Sequence, residues 1–261
     1  MRKLRRIASS DLSTGDKLRY VLNNAAGAEA CVYRLQGGLS IGLRRGTTDS
    51  KVFDEIFIER AYQTCVEALP APLGRVTVID LGANIGLSAL YLARALEVDK
   101  IIAVEPDPEN FKQLSENLRT SGLASRCTAV RAFAGADHGF AELQDSGNGA
   151  WGMRMGPRSA NGTLVLPLAE IAGIAKRDAT VVLKCDIEGA ERQLFLHIRD
   201  WEHRIHYIFL ELHTEFLPVC EMAACLESSG YRWTVHGNPP AGATIAMLLL
   251  ERGDRRDAPR A

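Results

Sequence analysis

Two short stretches hold most of the side chains that could do acid–base work: Lys184-Cys185-Asp186-Ile187-Glu188-Gly189-Ala190-Glu191 and Glu211-Leu212-His213. Each follows or ends an apolar run that reads as a β-strand. In a strand the period of two puts Glu211 and His213 on one face. An oxygen nucleophile must lose its proton as it attacks, and a carboxylate or imidazole within hydrogen-bond reach is what takes it. Histidine titrates near neutrality, so His213 is the expected base, with Asp186 and Glu188 beside it as the other catalytic candidates. Structural roles compete for some of these groups. Glu188 could simply complement the N-terminus of the helix read over 189–198. Glu191 could pair with Lys184 or Arg192, and Lys184, set in an apolar strand, should snorkel or pair with a carboxylate. Asp186, Glu188, Glu211 and His213 also make a donor set that a divalent cation such as Mg²⁺ or Mn²⁺ would accept, although no spacing signature demands one.

A third stretch, Val76 to Leu96, runs from a buried strand through Asp80-Leu81-Gly82-Ala83-Asn84-Ile85-Gly86 into an apolar helix. A dinucleotide fold would need G-x-G-x-x-G there, its second glycine admitting a pyrophosphate, but that position is Asn84. Nor does a Gly-Lys-Ser/Thr follow. The turn therefore suits a nucleoside-like ligand without a pyrophosphate, and S-adenosylmethionine fits that description. Asp80 is expected to meet its cationic end, directly or through water, while Gly82, Ala83, Asn84 and Gly86 allow close backbone approach and helix packing. Glu105, about 25 residues on and followed by Pro106, is placed to accept both ribose hydroxyls. Ala132 and Phe133 are expected at the adenine, and Asp186 at the cofactor edge. Upstream, the Arg44-Arg45-Gly46-Thr47-Thr48-Asp49 turn offers Arg45, Thr47 and Asp49, together with Glu211, as substrate contacts; Thr48 or Asp49 would also serve as an N-cap.

The elements that must carry these residues follow from the hydrophobic pattern. The runs 76–80, 100–105, 127–132, 180–186 and 205–212 are apolar on nearly every residue, which marks parallel strands covered on both faces. With helical segments between them they predict an α/β, doubly wound, mostly parallel sheet. Over 107–122, Asp107 should cap, Pro108 should open the helix, Phe111, Leu114 and Leu118 should face inward, and Gly122 should end it. Segments 231–237 and 244–251 flank a turn-rich stretch and predict an antiparallel hairpin at the sheet edge, completing seven strands. Residues 1–75 read as an extension: a basic tail, flexible or loosely docked, a hairpin about Gly37-Gly38 and one amphipathic helix from Ser50 to Leu69. Between Gly139 and Gly162 the chain is glycine-rich without periodicity, which reads as a loop that could cover the site. The S-adenosylmethionine-binding domain is placed at 76–251 and an unstructured tail at 252–261.

The stretches "VIDLGANIGLSALYLA" (78–93), "AVEPDPENFKQLSENL" (103–118) and "LKCDIEGAERQLF" (183–195), joined by "LRRGTTDSKVFDEIF" (43–57) and "FLELH" (209–213), resemble the FkbM family of S-adenosylmethionine-dependent methyltransferases. The resemblance covers about Leu39 to Leu250. It departs at Thr48, where a serine is common, and at Cys185, where an aliphatic residue is usual. It implies a class I methyltransferase fold and O-methylation of a sugar, glycolipid or secondary metabolite. N-methylation of a small molecule and a non-catalytic cofactor-binding module remain as alternatives; a nicotinamide-dependent oxidoreductase is disfavoured by Asn84.

Whole-chain properties narrow the partners. At 261 residues with a formal net charge of −1, the chain has no overall field to attract nucleic acid or acidic lipid. No apolar run approaches a membrane span, and the start lacks the apolar region of a signal peptide. The six cysteines form no C-x-x-C pair, so buried thiols in a reducing, cytoplasmic setting are expected. The acceptor is therefore expected to be a small molecule or sugar. Oligomeric state is not legible.

Overall fold

The computed structural model describes residues 2–26, 31–145, 153–237 and 243–256. Its centre is a seven-stranded sheet of β1 (Val76–Leu81), β2 (Lys100–Val104), β3 (Cys127–Val130), β4 (Thr180–Cys185), β5 (Tyr207–His213), β6 (Tyr231–His236) and β7 (Ile245–Arg255), in the order β6-β7-β5-β4-β1-β2-β3. Strands β1 to β5 pair in parallel, and β7 runs antiparallel to both β5 and β6. The strand order reverses between β1 and β4, with Asp80 opposite Lys184 and Leu81 opposite Cys185. A crevice beyond the carboxyl ends of these two strands is where an open α/β sheet binds its ligand.

Every residue of β1 is buried, as expected for a strand covered on both faces. Val76 and Val78 face one core with Leu87, Leu90, Leu114 and Leu118, whereas Ile79 and Leu81 face the other with Leu168, Phe195 and Trp201. The chain is thus a helix–sheet–helix sandwich. The helix Pro108–Thr120 forms as its punctuation dictates: Asp107 accepts from the Asn110 N–H at 2.8 Å, proline opens the first turn, and Gly122 adopts φ +71° beyond the end. Among the described residues no helix is long and apolar enough to cross a membrane.

The structure departs from the sequence expectations in four places. The basic N-terminal stretch, read as a tail, is helical over Arg2–Ser9 with Ile7 buried, and a further helix spans Thr14–Ala26. The single helix expected from Ser50 is broken into Asp49–Phe53, a π-turn over Asp54–Ile58 and Gln63–Ala68. Arg60, at φ +59°, ends the run because a left-handed residue cannot continue a right-handed helix. The glycine-rich segment is largely strand: Gly139–Asp145 and Met153–Arg158 join Phe133–Gly135 and Thr163–Pro167 in a second, four-stranded sheet. Its glycines serve close crossings, since a Cβ on Gly162 would overlap the Ala141 backbone and one on Gly156 would sit 2.7 Å from the Gln144 side chain. Residues 146–152 of that segment lie outside the described residues. Finally, β7 extends to Arg255, paired with Tyr231, so the expected tail from 252 begins as strand; 257–261 lie outside the described residues.

Candidate active site at the ends of β1, β4 and β5

A cavity of about 490 Å³ opens at the switch point. The β1 turn and the end of β2 form one side, through Gly82, Ala83, Asn84, Glu105 and Pro106, with Ala132 and Phe133 beside them. Asp186, Glu188, Glu211 and His213 form the other side, from the ends of β4 and β5. Glu55, Tyr62, Met153, Glu215, Thr244 and Ile245 also line it, and none of these was singled out from sequence. Glu55 falls within the single helix expected from Ser50 to Leu69. The π-turn that re-aims it leaves no periodic signature.

The turn after β1 is built on backbone conformations that its residues tolerate. Gly82 has φ +68°, and a Cβ there would overlap the Asp186 carbonyl oxygen, so the β1 and β4 exits approach each other only through glycine. Asn84, at φ +49°, uses its own Oδ1 to accept from the Ile85 N–H at 2.8 Å, a local bond that offsets the left-handed conformation. Glu105 is buried; its Oε2 accepts from the Asn84 N–H at 2.8 Å and its Oε1 from the Asp107 N–H at 2.9 Å. Burial pushes its carboxyl up to about 7, against the opposing pull of those two amides. Gly86 serves packing: it is not at the cavity, and a Cβ on it would press into Leu114 at 2.6 Å.

Asp80 does not reach the cavity, contrary to its expected contact with the cofactor's cationic end. It is fully buried beneath the turn, accepts from Ser88 Oγ at 2.6 Å and lies 3.3 Å from Lys184 Nζ. Lys184 ties the floor together, as a lysine in an apolar strand must if it is to stay charged. Its Nζ donates to the Leu81 and Gly82 carbonyls at 3.1 and 2.8 Å and pairs with Asp186 at 3.4 Å. Burial alone would lower its pKa, but Asp186 and Asp80 hold it well above the ordinary lysine value. It is a structural cation.

Glu191 pairs with neither Lys184 nor Arg192, the partners expected from sequence. It is fully buried, accepts from the Ile187 and Gly189 N–H groups at 3.3 and 2.8 Å, and bonds His213 Nδ1 at 2.8 Å; Arg192 instead pairs with Glu221 at 2.7 Å. The ring's other nitrogen, Nε2, lies 3.9 Å from both Glu188 and Glu211. Burial would lower the His213 pKa, but the bond to Glu191 and the charges of Glu191, Asp186 and Glu188 raise it to about 9. A ring held this way keeps its proton more firmly than a free histidine does. Glu188, at φ +51° before Gly189, lines the cavity, and burial, then Asp186, push its carboxyl to about 7. Glu211 is held well above the carboxylate range, first by Asp186, then by burial and by Glu55.

The expected substrate contacts in the Arg44–Asp49 turn lie away from the cavity. Asp49 is buried and bound by Arg44 through Nε at 3.0 Å, Nη2 at 2.8 Å and the backbone N–H at 2.7 Å. Arg44 also reaches Asn110 Oδ1 at 2.7 Å, which clamps the N-terminal extension to the helix Pro108–Thr120. Thr47 Oγ1, and not Thr48 or Asp49, receives the N–H that opens the next helix, at 3.2 Å, and Arg45 is exposed. Asp186, Glu211 and His213 place one ligand atom each within 4.8 Å of one another, the tightest part of the donor set read for a cation.

A family model described as "Methyltransferase FkbM domain" matches residues 80–255, and the chain belongs to that family. Its cofactor is accordingly S-adenosylmethionine. The chain is 35% identical over 80 residues to Methyltransferase sdnD of Sordaria araneosa, a match spanning 31% of this chain and 29% of that protein. A methyltransferase FkbM structure from Methylobacillus flagellatus overlaps 70% of this chain and 46% of its own at 20% identity and a TM-score of 0.45. The M. jannaschii TYW2 structure in complex with AdoMet overlaps 87% and 86% at 12% identity and a TM-score of 0.46. The fold rests on the strand order described above and not on these overlaps.

Proposed function

We propose that this FkbM-family methyltransferase methylates a hydroxyl of a small molecule or sugar that enters the cavity beside His213 and Glu188. The observation that carries the reading is the convergence of His213 Nε2 with the Glu188 and Glu211 carboxylates at 3.9 Å each on the cavity wall. A hydroxyl acceptor must give up its proton as the new bond forms, and this cluster gives that proton somewhere to go. Glu188 is the proton acceptor. His213, oriented by Glu191, holds the acceptor end of the cavity in place from its Nε2 side.

The residues on the other side fit S-adenosylmethionine. Each Glu105 oxygen takes one backbone amide, which leaves lone pairs for the two ribose hydroxyls. The backbone of Gly82 to Asn84 would carry the methionine part, and the apolar Ala132 and Phe133 would cover the adenine. When bound, the cofactor supplies an electrophilic methyl group on a sulfonium. Glu55, Asp186 and Glu211 crowd their carboxyl groups at that end of the cavity, and a cationic ligand there would relieve their mutual repulsion. The six free thiols of the chain are in keeping with a reducing, cytoplasmic setting.

The test is transfer of labelled methyl from S-adenosylmethionine to a panel of sugars, polyols and phenols, with the product's methyl position read by NMR. Label on oxygen, with turnover lowered about 100-fold in Glu188→Gln at unchanged cofactor affinity, is the expected result. Label on the nitrogen of an amine panel would replace O- by N-methylation. Tight S-adenosylhomocysteine binding without turnover on any acceptor would favour a binding module.

A further inference from the structure

We propose that Asp186, Glu211 and His213 hold one divalent cation of the magnesium or manganese class at the acceptor end of the cavity. The ion's role depends on the methyl-transfer reading above; its binding does not. The three residues come from adjacent strands. Cys185 pairs with Leu210 across β4 and β5, so Asp186 and Glu211 are next in register, and His213 follows two residues on, on the same face as Glu211. Their ligand atoms lie within 4.8 Å of one another, a span that bonds of about 2.1–2.4 Å to a central ion close with small side-chain adjustments.

His213 gives the independent indication. Its side chain is only 6% exposed, Nδ1 is taken by Glu191, and Nε2 turns to the cavity, where among the described residues its nearest partners are two carboxylates at 3.9 Å. A metal-bound histidine is typically built this way: one ring nitrogen donates to a buried, fixed carboxylate, which sets the tautomer and aims the other nitrogen at the ion, and the ion takes the place of the proton that Nε2 carries without it. Glu191 is fixed in turn by the Ile187 and Gly189 amides. Lys184 cannot serve as the counter-charge for Glu211, since it is shared between Asp80 and Asp186. Two carboxylates and one imidazole suit Mn²⁺ or Mg²⁺, and an octahedral ion with three protein ligands leaves positions open to the cavity. A hydroxyl bound there is more acidic, which would ease proton loss to Glu188.

Metal-free full-length protein titrated with Mn²⁺ alone, following the electron paramagnetic resonance signal of free Mn²⁺, tests the site. One ion retained per chain and displaced by excess Mg²⁺ is expected. Glu211→Gln and His213→Asn should each weaken retention at least about tenfold, with melting temperature and S-adenosylhomocysteine affinity, measured on the same samples, close to wild type. No retention by wild type, or equal retention by wild type and both variants, would overturn the site. Loss of S-adenosylhomocysteine binding by a protein that still holds Mn²⁺ would overturn the methyl-transfer reading and leave the ion site standing.

Discussion

His213 Nδ1 and the Glu191 carboxylate are joined at 2.8 Å, with Glu191 entirely shielded from solvent and His213 opening on the cavity through its other nitrogen. Glu191 touches nothing in the cavity, so it acts by positioning His213. Glu191→Gln keeps the size but weakens the hold on the ring. We expect kcat to fall about 10–100-fold while S-adenosylhomocysteine affinity stays within about twofold. A purely structural role would instead lower both together, and parallel kinetics and calorimetry separate the cases.

Glu105 makes a pH prediction. Its folded carboxyl sits near 7, above the ordinary 4.5, so the folded state holds the proton more tightly than the unfolded chain. Stability from this group therefore falls as pH rises from about 4.5 to 7 and is level above that. Ligand binding should run the other way, because the ionised carboxylate is the better acceptor for two ribose hydroxyls. Calorimetric affinity for S-adenosylhomocysteine should rise as pH passes 7 in wild type and lose that dependence in Glu105→Gln.

Lys184 underlies the floor of the site. Lys184→Met would leave Asp80 and Asp186 without their buried cation, and breaking such a pair costs about 3–5 kcal/mol. Adding Asp80→Asn should recover part of that loss, because the two sites are in direct contact and not additive. Denaturant melts of the two single variants and the double variant measure the coupling.

Gly82 bears the closest approach between the β1 and β4 exits. Gly82→Ala would force a Cβ against the Asp186 carbonyl from a backbone at φ +68°. We expect destabilisation of more than about 1 kcal/mol together with loss of cofactor affinity, read by thermal melts and titration. Gly74, also at a positive φ but with open space around it, is the control: alanine there should leave affinity unchanged.

Much of this architecture was legible in the sequence because the signals are local. Apolar runs marked β1 to β5, Asp107 and Gly122 bounded their helix, and the turn after β1 and Glu105 lie, as expected, together on one wall of the cavity. The errors have a common cause: long-range partners decide what a polar residue does. Asp80 reads as a ligand contact until Lys184 and Ser88 are seen to enclose it. Glu191 reads as the partner of Lys184 or Arg192 until His213 arrives from another strand. Asp49 reads as a substrate contact until Arg44 closes on it. Glycine misled as well, since at Gly156 and Gly162 it relieves strand crossings in a sheet that its abundance made look like a loop.

The central claim is that the crevice between β1 and β4 binds S-adenosylmethionine through Glu105, with the Glu188–His213 cluster at the acceptor end. Isothermal titration of wild type, Glu105→Ala and Glu188→Gln with S-adenosylhomocysteine tests it most directly. The account predicts micromolar binding to wild type, a loss of about tenfold or more in Glu105→Ala, which removes charge-assisted ribose bonds, and little change in Glu188→Gln. Equal binding by wild type and Glu105→Ala, or no binding by a well-folded wild type, would contradict it.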